Sequence, residues 1–166
     1  VDKQYYPNEV FKTVQTESAG KEKIALYYFG AGHTNGDGII HFEQANIAHV
    51  GDLVFNRRHP FVDRSAGANI QSWINVLDKT MKQFDAKTIF ICGHSGNNYD
   101  VKGSTEMLKA FRDYLANLLA FVSKAIKDGK TKEEILTATT IPGSPEWTGD
   151  GIERPLQAAF EELSGT

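Results

Sequence analysis

Apolar positions fall into two periods along the chain. Ile24-Ala25-Leu26-Tyr27-Tyr28-Phe29 and Lys87-Thr88-Ile89-Phe90-Ile91-Cys92 are near-continuous apolar runs, each closed by a glycine, and read as buried strands. Gly36-Asp37-Gly38 turns the first run into Ile39-Ile40-His41-Phe42. Glu43-Gln44 turns the chain again into Ala45-Asn46-Ile47-Ala48-His49-Val50, giving two short strands with a tight connection. A weaker strand is expected near 10–16, between the Pro7-Asn8 turn signal and a break at Ser18-Ala19-Gly20-Lys21. Helical spacing takes over at Ile70, Trp73, Ile74, Leu77, Met81 and Phe84, predicting an amphipathic helix over 69–84. Ser104 caps a longer helix whose stripe from Met107 to Ile126 stops at Asp128-Gly129. Thr131 and Glu134 have capping-box spacing ahead of Ile135, and Leu156, Ala159, Phe160 and Leu163 mark a last helix after Pro155. The pattern is that of an α/β fold.

No repeat, low-complexity tract or long linker divides the 166 residues, so 1–166 is expected to be a single domain large enough for a real core. A net charge of -3 without a Lys/Arg cluster argues against nucleic acid or an anionic membrane as partner, because both need a basic face. One cysteine, Cys92, excludes an internal disulfide framework and leaves the compartment open between cytoplasm and periplasm. No apolar run approaches the roughly 20 residues of a membrane span, and Val1-Asp2-Lys3-Gln4 does not read as a signal peptide.

Chemistry concentrates at the ends of three predicted strands. Gly30-Ala31-Gly32-His33-Thr34-Asn35-Gly36-Asp37 delivers His33, Gly51-Asp52-Leu53 delivers Asp52, and Cys92-Gly93-His94-Ser95 delivers His94. Imidazole and carboxylate are donors for Zn²⁺ or another first-row metal, with Fe or Mn as further options, and rigid strand ends hold such ligands well.

These segments, in this order and at these separations, resemble the later metal-binding motifs of the metallo-β-lactamase superfamily. The likeness spans about residues 10–127 and takes in the helix over 69–84 and the long helix after His94. The resemblance implies an αββα sandwich with the metal site at the edge of its sheets. His33 would complete the first metal site, Asp52 would bridge two metals and His94 would bind the second. The family's earlier signature, His-x-His-x-Asp-His, is missing, since residues 1–32 contain no histidine, and His41, His49 and His59 do not reproduce its spacing. The expected fold is therefore half of that sandwich, a mixed sheet with helices packed on one face and a helical extension from about 128.

A half sandwich leaves one sheet face uncovered. At about 25 cal/mol per Å², keeping ~800 Å² of apolar surface wet forgoes on the order of 20 kcal/mol. A homodimer with two-fold symmetry, a complementing chain or the missing half of a longer protein is expected to cover it. With the centre completed, the resemblance implies hydrolysis of a small-molecule substrate, with Asp52 holding metals and nucleophile. The chain by itself is expected to be weakly active or inactive. The alternative is a non-catalytic half-domain used for oligomerisation or binding.

Other residues carry two readings. Thr34, Asn35 and Asp37 either orient His33 or simply form a turn. His59 either contacts substrate or lies in a solvated loop, the latter being the default; Arg57 or Arg58 either pairs with a substrate carboxylate or phosphate or is a surface arginine, again the default. His49 is expected to be packed or at an interface, Cys92 to be a buried thiol and Trp73 to be core.

Overall fold

The computed structural model describes residues 9–165, and the Pro7-Asn8 turn lies outside them. Six strands form one mixed sheet in chain order: β1 (Val14–Ala19), β2 (Glu22–Tyr27), β3 (Ile39–Phe42), β4 (Ile47–Asn56), β5 (Ile89–Ser95) and β6 (Lys102–Gly103). Neighbours pair antiparallel except β4 and β5, which are parallel. A parallel pair needs a crossover, and the helix α1 (Ile70–Gln83) supplies it. Three more helices follow, α2 (Thr105–Lys127), α3 (Lys132–Leu136) and α4 (Glu153–Ser164).

The strand register divides the sheet into two unlike faces. Ala25, His41, Ala48 and Phe90 form one cross-strand row, and on this face Ala25, Ile39, Ala48, Val50, Phe90 and Cys92 are buried beneath the helices. The opposite face carries two rows, Ile24-Phe42-Ile47-Ile89 and Leu26-Ile40-His49-Ile91. None of these eight residues is buried, and His49 and Ile89 are exposed. The chain thus has the expected mixed sheet with helices on one face, and its other face is apolar and, among the described residues, only partly covered.

Beneath the helices, Trp73, Phe111 and Tyr114 are wholly buried and pack together, Trp73 meeting Phe111 edge to face with centroids 5.4 Å apart and Phe111 stacking on Tyr114 with centroids 5.9 Å apart. The helix ends follow their sequence signals. The side chains of Asn69 and Ser104 accept from the N–H groups of Ser72 and Glu106, and Thr131 with Glu134 closes a reciprocal capping box. A tertiary cap is added to α1, since the N–H groups of Ile70 and Gln71 donate to the Glu162 carboxylate at 2.7 and 2.9 Å. That contact joins the last helix to the start of the first.

Four boundaries differ from the sequence reading. β1 begins at Val14 and runs through Ser18 to Ala19, because Gly20-Lys21 forms a hairpin turn that pairs Ala19 with Glu22. β4 starts two residues later than expected and does not end at Val50. It crosses Gly51, whose φ of 50° places a bulge inside the strand, and continues to Asn56. β5 likewise runs past Gly93 to Ser95, so Asp52 and His94 sit within strands rather than beyond their ends. The last helix begins at Glu153 with Pro155 in its first turn, where a missing N–H breaks no helical bond. Among the described residues, no helix is long and apolar enough to cross a membrane.

Candidate metal centre

His33, Asp52 and His94 come together at one edge of the sheet, each fixed by a different local device. The loop after β2 is held by its own polar groups: the Thr34 N–H and O–H donate to the two Asp37 oxygens at 2.8 and 3.0 Å, and the Asn35 N–H donates to the Ala66 carbonyl at 2.9 Å. Gly32 lets this loop lie against the core, because a Cβ there would stand 2.7 Å from Leu53 Cδ2 and 3.2 Å from Trp73. His33 is left only 15% exposed among the rings of Phe55, Phe61 and Trp73. Asp52 follows the Gly51 bulge directly. His94 stacks on Phe55 at 4.8 Å, and a Cβ on the neighbouring Gly93 would overlap the Asp52 carboxylate.

The Asp52 carboxylate lies between the two imidazoles and turns one oxygen to each. Oδ2 is 3.9 Å from His33 Nε2, and Oδ1 is 3.5 Å from His94 Nε2. Neither separation is a hydrogen bond. Two donors on one tetrahedral zinc, each bonded at about 2.0–2.1 Å, stand roughly 3.3 Å apart, so both gaps are near the size an ion between the pair requires. On the far side of His33, Nδ1 is 3.8 Å from Asp37 Oδ1. Burial acts to raise the Asp37 carboxyl, but His33 and the Thr34 hydrogen bonds outweigh it and hold Asp37 below the ordinary carboxylate range. Thr34, Asn35 and Asp37 form the turn the sequence indicates, and the Thr34 hydrogen bonds hold the Asp37 carboxylate beside the His33 ring.

The donor set fits half of a centre. Each prospective ion has one imidazole and a share of one carboxylate, whereas a catalytic zinc takes three protein donors and a water. Among the described residues, no group of three or more His, Cys, Asp or Glu is arranged to hold a metal ion.

A cleft of about 310 Å³ opens over this edge, lined by His33, Asp52, Phe55, Arg58, His59, Phe61, His94 and Arg154. His59 is not in a solvated loop. It is 7% exposed, and its Nδ1 is 2.9 Å from the hydroxyl of the fully buried Tyr114. Desolvation pushes the His59 imidazole below its ordinary value, only partly opposed by Glu153. Arg57 is not a free surface arginine either, because its guanidinium lies 4.5 Å over the Trp147 ring and 5.6 Å over Tyr99. Arg58 is exposed, as expected. Cys92 and Trp73 are buried as the sequence indicates, and burial raises the Cys92 thiol. His49 is exposed on the sheet face away from the helices. Arg154 was not legible as a cleft residue, since nothing local links a first-turn residue of the last helix to strands a hundred positions earlier.

A family model described as the metallo-beta-lactamase superfamily matches residues 3–94. No curated protein sequence matches the chain. Among solved structures, the stereoselective inverting sec-alkylsulfatase Pisa1 from Pseudomonas sp. superposes with a TM-score of 0.74 at 16% identity, covering 94% of this chain and 26% of that one. A metallo-beta-lactamase from Pontibacter korlensis gives 0.58 at 21% identity, over 69% of this chain and 51% of that one. The metallo-beta-lactamase IND-7 gives 0.55 at 20%, over 68% and 50%. At these identities the likeness is one of fold. The chain spans about a quarter of the sulfatase and about half of each lactamase.

Proposed function

The chain belongs to the metallo-beta-lactamase superfamily, and from that premise we propose that it contributes the His33, Asp52 and His94 half of a metal-dependent hydrolase centre. The observation that carries this reading is the placement of Asp52, with one carboxylate oxygen toward each imidazole at 3.9 and 3.5 Å. His33 and His94 would each hold an ion, and Asp52 would serve both. Zinc is the metal the donor types suit best, with Fe or Mn as alternatives. When bound, such an ion lowers the pKa of its water toward about 7 and polarises the oxygen of the bond to be cleaved.

The chain's own residues do the positioning. Asp37 sets the orientation of the His33 ring, and Phe55 backs His94 and keeps water from its inner face. The remaining donors come from the polypeptide that covers the open rows Ile24-Phe42-Ile47-Ile89 and Leu26-Ile40-His49-Ile91, either the other half of the domain in the same protein, a complementing chain or a second copy in a homodimer. The small-molecule substrate enters at the cleft over the donor edge.

Metal content measured together with native mass tests this. The assembled form is expected to hold zinc or a similar metal tightly and to lose it in His33→Ala and Asp52→Ala, while the isolated chain hydrolyses generic ester, thioester and phosphodiester substrates weakly or not at all. A metal-free protein that still assembles through the open face would overturn the hydrolase reading in favour of a non-catalytic binding module.

A further inference from the structure

Besides the three metal-donor residues and the rings of Phe55 and Phe61, the cleft lining consists of Arg58, His59 and Arg154. Arg58 follows the end of β4 and Arg154 comes from the first turn of α4. Both are exposed, both line the cleft, and neither guanidinium pairs with a carboxylate among the described residues. Arg154 is braced over the Phe61 ring at 5.8 Å. His59 lines the same cleft and is more than nine-tenths buried, and its Nε2, closed to solvent, has no hydrogen-bond partner among the described residues.

The proton on His59 can be placed by elimination. The Tyr114 hydroxyl is buried, and its hydrogen-bond partner is His59 Nδ1. Were Nδ1 to carry the ring proton, the tyrosine proton would be left without an acceptor in a buried position, which costs about 1–3 kcal/mol. Tyr114 therefore donates to Nδ1, and the imidazole carries its hydrogen on Nε2. A buried N–H without an acceptor calls for one from a ligand. Two guanidiniums add only donors and positive charge. Against them the cleft lining sets a single carboxylate, Asp52.

We propose that Arg58, His59 and Arg154 form a subsite for an oxyanion group, a carboxylate, sulfate or phosphate, carried by the substrate beside the bond that is cleaved. As a statement about substrate this rests on the hydrolase reading above; as a statement about binding it does not. The subsite draws on α4, which lies beyond the residues that match the family model. The C-terminal region thereby acquires a role in selecting substrate.

The test uses the full chain stripped of metal with a chelator, at low ionic strength, titrated separately with acetate, sulfate and inorganic phosphate while the ¹⁵N signal of His59 Nε2 is followed. At least one of the three anions is expected to produce a saturable shift. Arg58→Gln and Arg154→Gln should each weaken its binding by about tenfold, the loss of one charge-assisted hydrogen bond. Lys130→Gln removes the same charge from the exposed loop after α2 and should leave binding unchanged. The comparison among acetate, sulfate and phosphate identifies which oxyanion is preferred. No saturable shift with any anion, or a shift that both arginine variants retain at full affinity, would overturn the subsite. Because the protein is metal-free in this titration, a failed metal analysis would sink the hydrolase reading and leave this result standing.

Discussion

Glu162 ties the last helix to the family-matched part of the chain, and its removal is a direct test of how the cleft is held together. Its carboxylate accepts from the N–H groups of Ile70 and Gln71 at 2.7 and 2.9 Å, and one oxygen is 3.7 Å from Arg64 Nη1. The side chain is only 12% exposed. In Glu162→Ala two helix N-terminal donors lose a charged acceptor, one of them at the buried Ile70. Asn69 still caps the helix through Ser72 and cannot reach either group as well. Hydrogen bonds to charged groups contribute about 1.5–3 kcal/mol each and do not simply add, so the expected loss is about 2–4 kcal/mol. For a chain of this length each kcal/mol moves the melting temperature by about 2–4 °C, so calorimetry should record a fall of roughly 4–16 °C. Glu162→Gln keeps one acceptor and should lie between the variant and the parent. Because α4 carries Arg154, anion affinity at the cleft should also weaken in Glu162→Ala although the substituted residue does not line it. A melting temperature within about 1 °C of the parent would refute the claim that this contact holds α4 to the core.

Gly93→Ala should leave stability within about 1 kcal/mol, because the overlapping Asp52 carboxylate is the mobile end of a half-exposed side chain and can swing aside. The same swing takes Oδ1 away from His94, so zinc affinity in the assembled protein should fall at least tenfold. Gly36→Ala, which meets nothing within 4 Å, is the control for both measurements. His59 gives a pH signature: burial holds it below its ordinary 6.5, so the unfolded chain binds the extra proton first. Its contribution is present above pH 6.5 and is lost as pH falls through the folded value. Denaturation midpoints of the parent should therefore drop below pH 6.5 more steeply than those of His59→Gln; parallel curves would contradict the buried, neutral imidazole.

Much of the architecture was legible because it is written in local periods. The stripes of α1 and α2, the caps at Asn69, Ser104 and Thr131, and the apolar runs of β2 and β5 each depend on residues a few positions apart. The errors fell where a glycine was read as a stop. Gly51 looks like the end of a strand, yet β4 passes through it on a bulge because Leu53, Val54 and Phe55 beyond it are all buried by distant helices. His59 lies on a loop as expected, but it is buried rather than solvated, against a Tyr114 hydroxyl 55 positions away.

The sequence by itself determined the residue types, their order and the strand and helix periods around them; that His33, Asp52 and His94 are metal donors and that an earlier His-x-His-x-Asp-His motif is missing is what the family resemblance implies. Periods follow from spacing, which is a property of the chain. Only the tertiary structure decided that the Asp52 oxygens divide between the two imidazoles, that Asp37 stands behind His33, and that α4 brings Arg154 to the same cleft. Distances across a sheet edge depend on register, bulges and long-range packing, and none of these is encoded within a window of neighbouring residues.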